Sequence, residues 1–146
     1  MAKIKISSAK AKGREFQKLI ARGLAQVLGL VYGTDQDVGS RGMGQQGTDI
    51  VMSAEARRRF PYAVECKNQE TVNLWGAVRQ ARANCPEGMS WLVAIKKNRE
   101  RPIIVMDWVA FLELVRDANV FRNSEGYCRD LSGINYDVEK DEARPS

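Results

Sequence analysis

Histidine is absent from this chain of 146 residues. A catalytic Ser-His-Asp or Cys-His system therefore cannot be built. Zinc sites and nuclease sites that depend on histidine ligands are excluded for the same reason. Acid–base chemistry, if there is any, must be carried out by carboxylates, lysines, tyrosines or metal-bound water.

Cysteine is scarce, and long apolar runs are missing. The three cysteines, Cys66, Cys85 and Cys128, are odd in number and widely spaced, which argues against a disulfide framework and favours a reducing compartment. No apolar run has the length needed to span a bilayer, and residues 1–8 lack the apolar segment of a secretory signal. The sequence therefore predicts a cytoplasmic protein without a membrane segment. The small size of the chain suits a prokaryotic or phage protein.

The charge is positive overall, at +5, and it is unevenly distributed. Residues 1–22 carry seven basic residues and one acidic residue, and residues 57–101 carry ten basic and four acidic residues. The segment between them and the segment after them are acidic. Basic blocks beside a few carboxylates suit a nuclease, because cations hold phosphates and acids hold a metal. Charge alone, however, favours an ordinary solvated basic surface.

Hydrophobic periodicity and turn residues divide the chain into three parts. Residues 1–12 are interpreted as a mobile basic arm, residues 13–121 as one domain, and residues 122–146 as a polar, partly disordered tail. The domain is predicted to be of the α/β class, with one mixed sheet flanked by helices. The predicted elements run helix, strand, strand, helix, strand, strand, helix over residues 13–28, 49–52, 61–67, 74–85, 90–95, 102–106 and 109–118.

The two predicted strands at 49–52 and 61–67 fit an antiparallel hairpin. If Asp49 lies opposite Glu65, the centre of the hairpin falls at residue 57, so that the arginines at 57–59 project from its tip. The last predicted helix is expected to turn Phe111, Leu112 and Val115 inward. The three tryptophans lie in apolar periodic segments and are expected in the core.

Glu65 and Lys67 are two residues apart on a predicted strand, so both side chains point to the same face. Cys66 points to the opposite face and suits the core, while its backbone carbonyl remains available to a metal. Asp49 opens the neighbouring strand within reach of Glu65. Two adjacent carboxylates repel each other unless a cation lies between them, and magnesium prefers oxygen ligands. Alone, each of these residues is equally well explained as an ordinary strand or surface residue.

The segments Gly47-Thr48-Asp49-Ile50-Val51 and Val64-Glu65-Cys66-Lys67 together resemble the signature of the PD-(D/E)XK nucleases, with Thr48 in place of the proline. The order of the surrounding motifs, over about residues 10–116, is similar to that of the archaeal-type Holliday junction resolvases. Those motifs are a glutamate in the first helix, a loop serine, a glutamine in the helix after the ExK strand, and a strand ending in lysines. The matching positions here are Glu15, Ser40, Gln80, Lys96 and Lys97.

This resemblance implies a restriction-endonuclease-like fold and a homodimer that cuts opposed strands of four-way DNA junctions with Mg²⁺, for which Mn²⁺ substitutes. It implies that Glu15, Asp49 and Glu65 are metal-site acids, joined by the backbone carbonyl of Cys66, and that Lys67 is the catalytic lysine. The candidate DNA-binding residues are Ser40, Arg41, Arg57, Arg58, Arg59, Gln69, Gln80, Lys96 and Lys97.

Two other functions remain open at this point. One is a restriction-type or mismatch-repair endonuclease of the same superfamily. The other is a DNA-binding module that does not cleave its ligand. The glycine-rich segment 33–48 lacks the GxxxxGK[ST] pattern, so a nucleotide-binding P-loop is not expected.

Overall fold

A computed structural model describes residues 2–42 and 44–125. The described chain contains four helices and five strands. In chain order they are α1 (Ala2–Leu28), β1 (Val38–Ser40), β2 (Ile50–Met52), α2 (Ala54–Arg59), β3 (Tyr62–Asn68), α3 (Leu74–Asn84), β4 (Ser90–Lys96), β5 (Ile103–Met106) and α4 (Trp108–Glu125).

The strands form two small sheets. β3 pairs with β4 in parallel, from Tyr62 opposite Ser90 to Asn68 opposite Lys96, and β5 pairs with β4 in the antiparallel direction. β1 and β2 form a separate antiparallel pair. Because β3 and β4 are parallel, the chain must cross over between them, and α3 provides that crossover. The expected α/β class with a mixed sheet is therefore confirmed.

Helices cover both faces of the three-stranded sheet. On one face, α1 contributes Phe16 and Ala21 to a core that includes Val64 of β3. On the other face, α3 packs Val78 and its neighbouring alanines against Val93 of β4. A parallel pair of strands needs this double cover, because its side chains alternate between the two faces. β4 lies between β3 and β5 and is the central strand of this sheet.

The first helix is longer than the sequence predicted. It begins at Ala2, whereas the apolar periodicity begins only near Gly13, and it ends before Gly29, which has a positive φ of 66°. Lysines and alanines favour a helix even without an apolar face, so α1 extends through residues 2–12. The mobility of these residues stays a prediction.

The predicted hairpin between residues 49 and 67 is wrong, because residues 54–59 form α2 instead of a turn. Ser53 caps this helix by accepting a hydrogen bond from the backbone N–H of Ala56. Glu55 forms ion pairs with Arg58 and Arg59 at helical spacing, which supports the same turn of helix. β2 consequently pairs with β1, and the backbone hydrogen bond to β3 is made by Asp49, the residue before β2.

The last helix also departs from expectation. Phe111, Leu112 and Val115 are exposed rather than turned inward, and Ala110 is the buried residue of α4 among residues 108–120. Two of the three tryptophans, Trp75 and Trp108, are likewise exposed. Residues 122–125 of the predicted tail belong to α4, and residues 126–146 lie outside the described residues. Within residues 2–42 and 44–125, none of the helices is both long and apolar enough to cross a membrane.

Candidate active site

Glu65 and Lys67 lie on the face of β3 that is covered by α3. Glu65 is 3% exposed, and its Oε1 lies 3.1 Å from the Nζ of Lys67. The Lys67 ammonium also donates a hydrogen bond of 2.7 Å to the side-chain oxygen of Gln80 on α3. The expectation that Glu65 and Lys67 share a face is met, but α3 encloses that face. An acid and a base are thus held side by side in a largely dry setting.

Asp49 reaches β3 from the start of β2. Its backbone N–H donates to the carbonyl of Val64 at 3.1 Å, and its Oδ2 accepts a hydrogen bond of 2.7 Å from the backbone N–H of Cys66. These two bonds attach Asp49 to both neighbours of Glu65 along β3. The juxtaposition of Asp49 and Glu65 is therefore present, although it is not created by a hairpin.

Burial and mutual repulsion act on the two carboxyl groups. Burial raises the pKa of Asp49, and the Cys66 N–H and the charges of Lys67 and Arg41 oppose that rise. Burial also raises the pKa of Glu65, and the charge of Asp49 raises it further, against the effect of Lys67 and the Asn84 side chain. Burial raises the pKa of the Cys66 thiol as well, so this cysteine stays protonated. The two carboxylates therefore share a site in which both negative charges are unfavourable.

One oxygen of this pair lacks a partner in the described structure. The Oε2 atom of Glu65 is buried and has no partner at normal hydrogen-bond geometry among the described residues, although the Asn84 side chain acts on the same carboxyl group. A buried unpaired carboxylate oxygen costs free energy, which a bound cation would recover. Magnesium commonly binds through one or two carboxylates and keeps several waters, so Asp49, Glu65 and the Cys66 carbonyl suit it.

The structure does not bring Glu15 into this site. Glu15 lies exposed on α1 and pairs with Lys18 at 3.3 Å. Among the described residues, no group of three or more Asp, Glu, Cys or His side chains is placed to hold a metal ion. The acids that meet are thus Asp49 and Glu65, and the role of Glu15 stays a prediction.

Ser40 and Arg41 lie at the end of β1, next to Asp49. The Arg41 side chain was predicted to contact DNA, but its Nε donates a hydrogen bond of 2.5 Å to the carbonyl of Thr48. Ser40 pairs with Ile50 in the β1–β2 ladder and is half-buried, beside an open groove between α1 and the glycine-rich loop.

The three arginines at 57–59 lie on α2, away from Lys67. Arg59 donates to the carbonyl of Leu28 at the end of α1. The carbonyl of Lys12, in the first half of α1, accepts from Asn68, the residue after Lys67. Sixteen helical residues separate these two contacts, a length of about 24 Å. The predicted position of these arginines at a hairpin tip is therefore wrong, and their contact with DNA stays a prediction.

The lysines at the end of β4 differ from each other. Lys96 is 8% exposed, and its Nζ donates to the carbonyls of Lys97 and Glu100 in the turn before β5. Lys97 is exposed and free to meet a phosphate. Gln69 lies just beyond the end of β3 and shares an open depression with both lysines.

Asn84 was not predicted as a site residue. It lies on α3 four residues after Gln80, so the two side chains share a face of the helix. That spacing, together with the position of α3 after the ExK strand, is the signal that would have identified it. Its effect on Glu65 makes it part of the same polar cluster.

Comparisons with protein-family models, with curated proteins and with solved structures find no match for this chain. The residues of the site and their geometry therefore carry the functional argument.

Proposed function

We propose that this chain is a magnesium-dependent DNA endonuclease with a restriction-endonuclease-like fold. The observation that carries the proposal is the enclosed set of Asp49, Glu65 and Lys67, in which one carboxylate oxygen has no partner among the described residues. A module that only binds DNA gains nothing from a buried acid and a half-buried acid side by side near phosphate. A cation site beside a fixed lysine fits phosphodiester hydrolysis.

The division of labour follows from the geometry. Asp49, Glu65 and the Cys66 carbonyl would hold the ion, which, when bound, lowers the pKa of a water and offsets charge on a phosphoryl oxygen. Lys67 carries a positive charge at the exposed end of the same cluster. It can neutralise charge that develops on the phosphate or orient the attacking water. Gln80 holds the Lys67 ammonium in place from α3.

The proposed substrate is DNA, and among DNA structures the four-way junction. Support for a DNA substrate comes from the basic residues near the carboxyl ends of β3 and β4, where exposed Lys97 follows buried Lys96. Ligands of α/β sheets commonly bind at that end. The preference for junctions rests on the resemblance of the motif order to the Holliday junction resolvases. We place the reaction in a reducing prokaryotic or phage-infected cytoplasm, consistent with the unpaired Cys66 and Cys85.

We propose further that the active form is a homodimer joined through the apolar surface of β5 and α4. Nine large apolar side chains are exposed there: Ile103, Ile104, Trp108, Val109, Phe111, Leu112, Leu114, Val115 and Val120. Together they expose on the order of 1000 Å², comparable to the area that each partner buries in a standard interface.

A second copy of the chain is the occupant that suits this surface. Among the described residues β5 pairs with β4 on one side only, so its other edge can add an antiparallel strand from an identical β5. Between residues 108 and 120, α4 carries Glu113 and Asp117 against Arg116, a balance that does not suit DNA. Two chains related in this way would present two active sites to two strands.

The test of catalysis is cleavage of a labelled four-way junction beside a linear duplex of matched arms, with Mg²⁺ and with a chelator. Asp49→Asn and Lys67→Ala are the inactive variants, and Glu87→Gln, which removes an exposed charge, is the matched control. We expect paired nicks in the junction, which both active-site variants lose and the control retains. Equal cleavage of the linear duplex would support the nuclease activity and contradict the proposed preference for junctions. Binding without cleavage would leave a DNA-binding module.

The test of the dimer is sedimentation of the intact chain over a range of concentrations. We expect a dimer that Leu112→Glu converts to a monomer. Val31→Glu, which places the same charge on an exposed apolar residue elsewhere, should leave it a dimer. A monomeric parent protein, or a Leu112→Glu variant that remains dimeric, would reject this interface.

A further inference from the structure

Arg41 holds the peptide groups on both sides of the Asp49 α-carbon. Its side-chain Nε donates to the carbonyl of Thr48 at 2.5 Å, and its backbone N–H donates to the carbonyl of Asp49 at 2.8 Å. A guanidinium that donates to a carbonyl is only partly available to a phosphate. The side chain is half-buried, unlike the exposed arginines of α2.

Gly47 leaves the space that this guanidinium needs. Its φ is +115°, and a Cβ atom at this position would lie 2.9 Å from the Cζ of Arg41. No side chain fits there unless the guanidinium moves away from Thr48. The glycine at position 47 and the Arg41 side chain are therefore packed directly against each other.

We infer that Arg41 is a positioning residue that fixes the backbone at Asp49, and thereby the place of the Asp49 carboxylate beside Glu65. On the β3 side, Asp49 is held by the Val64 carbonyl and the Cys66 N–H. Arg41 supplies the support on the opposite side, from β1. The consequence for metal binding rests on the proposed function, whereas the geometric role does not.

A positioning role and a DNA-contacting role for Arg41 predict different effects of its replacement. A phosphate contact affects the affinity for DNA and its salt dependence. A residue that orients a metal ligand affects the affinity for the metal, typically by 10- to 100-fold. A variant that changes metal binding while leaving the binding of DNA unchanged identifies the positioning role.

The experiment uses the full chain with Arg41→Ala, Arg41→Lys and Gly47→Ala, and with Gly44→Ala as the control. Gly44 also has a positive φ, of 76°, but nothing lies within 4 Å of an added Cβ. Three measurements are made: the ¹H–¹⁵N signal of the Cys66 amide, calorimetric titration with Ca²⁺, and kcat and KM for cleavage. The Cys66 signal requires neither metal nor turnover.

We expect Arg41→Ala and Gly47→Ala to shift the Cys66 amide signal and to weaken Ca²⁺ binding about tenfold. We also expect kcat to fall while KM for DNA stays within about twofold, with Arg41→Lys intermediate and Gly44→Ala unchanged. The double variant Arg41→Ala/Gly47→Ala should lose less than the sum of the two single effects, because both act through one contact.

Each contrary result has a separate meaning. An unshifted Cys66 signal and unchanged Ca²⁺ affinity in both Arg41→Ala and Gly47→Ala would overturn the positioning role. A raised KM with unchanged Ca²⁺ affinity would make Arg41 a DNA-contacting residue, which also overturns it. If the parent protein neither binds Ca²⁺ nor cleaves DNA, the proposed function fails. In that case the Cys66 signal alone still decides whether Arg41 positions Asp49.

Discussion

Removing one charge from the acidic pair is expected to stabilise the metal-free protein. Glu65→Gln replaces a buried carboxylate by a neutral amide of nearly the same shape. The amide carbonyl can still accept from Lys67, and the amide N–H₂ can donate towards Asp49. Asp49→Asn likewise keeps an oxygen for the Cys66 N–H while it removes the repulsion with Glu65.

The magnitude follows from the environment of the Glu65 side chain. Its Oε2 is buried without a partner in the described structure, and a group in this state costs about 1–3 kcal/mol. When residue 65 is neutral, the Lys67 ammonium still has the Asp49 carboxylate as a counter-charge. Glu65→Gln therefore keeps most of the free energy that is recovered when the unpaired carboxylate oxygen is removed. The resulting rise in Tm is roughly 4–12 °C for a domain of this size.

The assay is thermal and denaturant unfolding in chelator, repeated with millimolar Ca²⁺ or Mg²⁺. In chelator, both variants should have a higher Tm than the parent protein. Glu87→Gln, which loses an exposed charge, should have the same Tm as the parent. With the metal added, the parent should gain stability through binding, whereas the variants should gain little. If the variants are less stable than the parent in chelator, the protein itself already compensates the two negative charges. The argument for a cation between the two carboxylates would then fail.

Three further results are expected. Burial raises the folded-state pKa of both Asp49 and Glu65. Above about pH 4, these two carboxyl groups therefore bind more protons in the folded protein than in the unfolded chain. The stability of the metal-free protein should therefore fall as the pH rises through the folded-state pKa values, and this dependence should be weaker in the double variant Asp49→Asn/Glu65→Gln, measured by denaturant midpoints. Lys67→Ala should lower kcat by about 100-fold or more while DNA binding by the inactive protein persists. Gln80→Ala should lower kcat by about 10-fold with KM unchanged, and a raised KM would place Gln80 on the DNA instead.

Seven of the nine described elements, all except β1 and α2, and the meeting of Asp49 with Glu65 and Lys67 could be predicted from local patterns. The alternation along β3 places Glu65 and Lys67 on one face whatever the rest of the fold does. The segment between Asp49 and β3 could not be predicted in the same way. A run of three arginines suits a turn as well as a helix, and the helix is decided by the Ser53 cap and the pairs with Glu55.

The exposed face of α4 was mispredicted for a different reason. Apolar residues at helical spacing indicate a face that is buried somewhere, but the pattern does not say against which partner. Phe111, Leu112 and Val115 are exposed in the single chain, so their partner is not among the described residues. The roles of Arg41 and Gly47 were also beyond the sequence, since both depend on a contact across the loop between them.

Lys96 and Lys97 show how far identical residues can differ in role, and they lead to a testable contrast. The Lys96 ammonium is buried and donates to the carbonyls of Lys97 and Glu100, and the Lys97 carbonyl also accepts from the backbone N–H of Glu100. Lys96→Met therefore removes two charged hydrogen bonds from this turn and should cost about 1–3 kcal/mol of stability. Lys97 is exposed, so Lys97→Met should change stability by less than about 0.5 kcal/mol. If Lys97 meets a phosphate, its loss should weaken DNA binding at every sequence and reduce the slope of log affinity against log salt by about one. Unfolding curves and salt titrations of the two variants measure both effects. The contrary result is a Lys96→Met protein that is as stable as the parent and shows the same reduced slope of log affinity against log salt as Lys97→Met. In that case Lys96 leaves the turn to bind DNA, and the structural role assigned to it from its two carbonyl contacts is wrong.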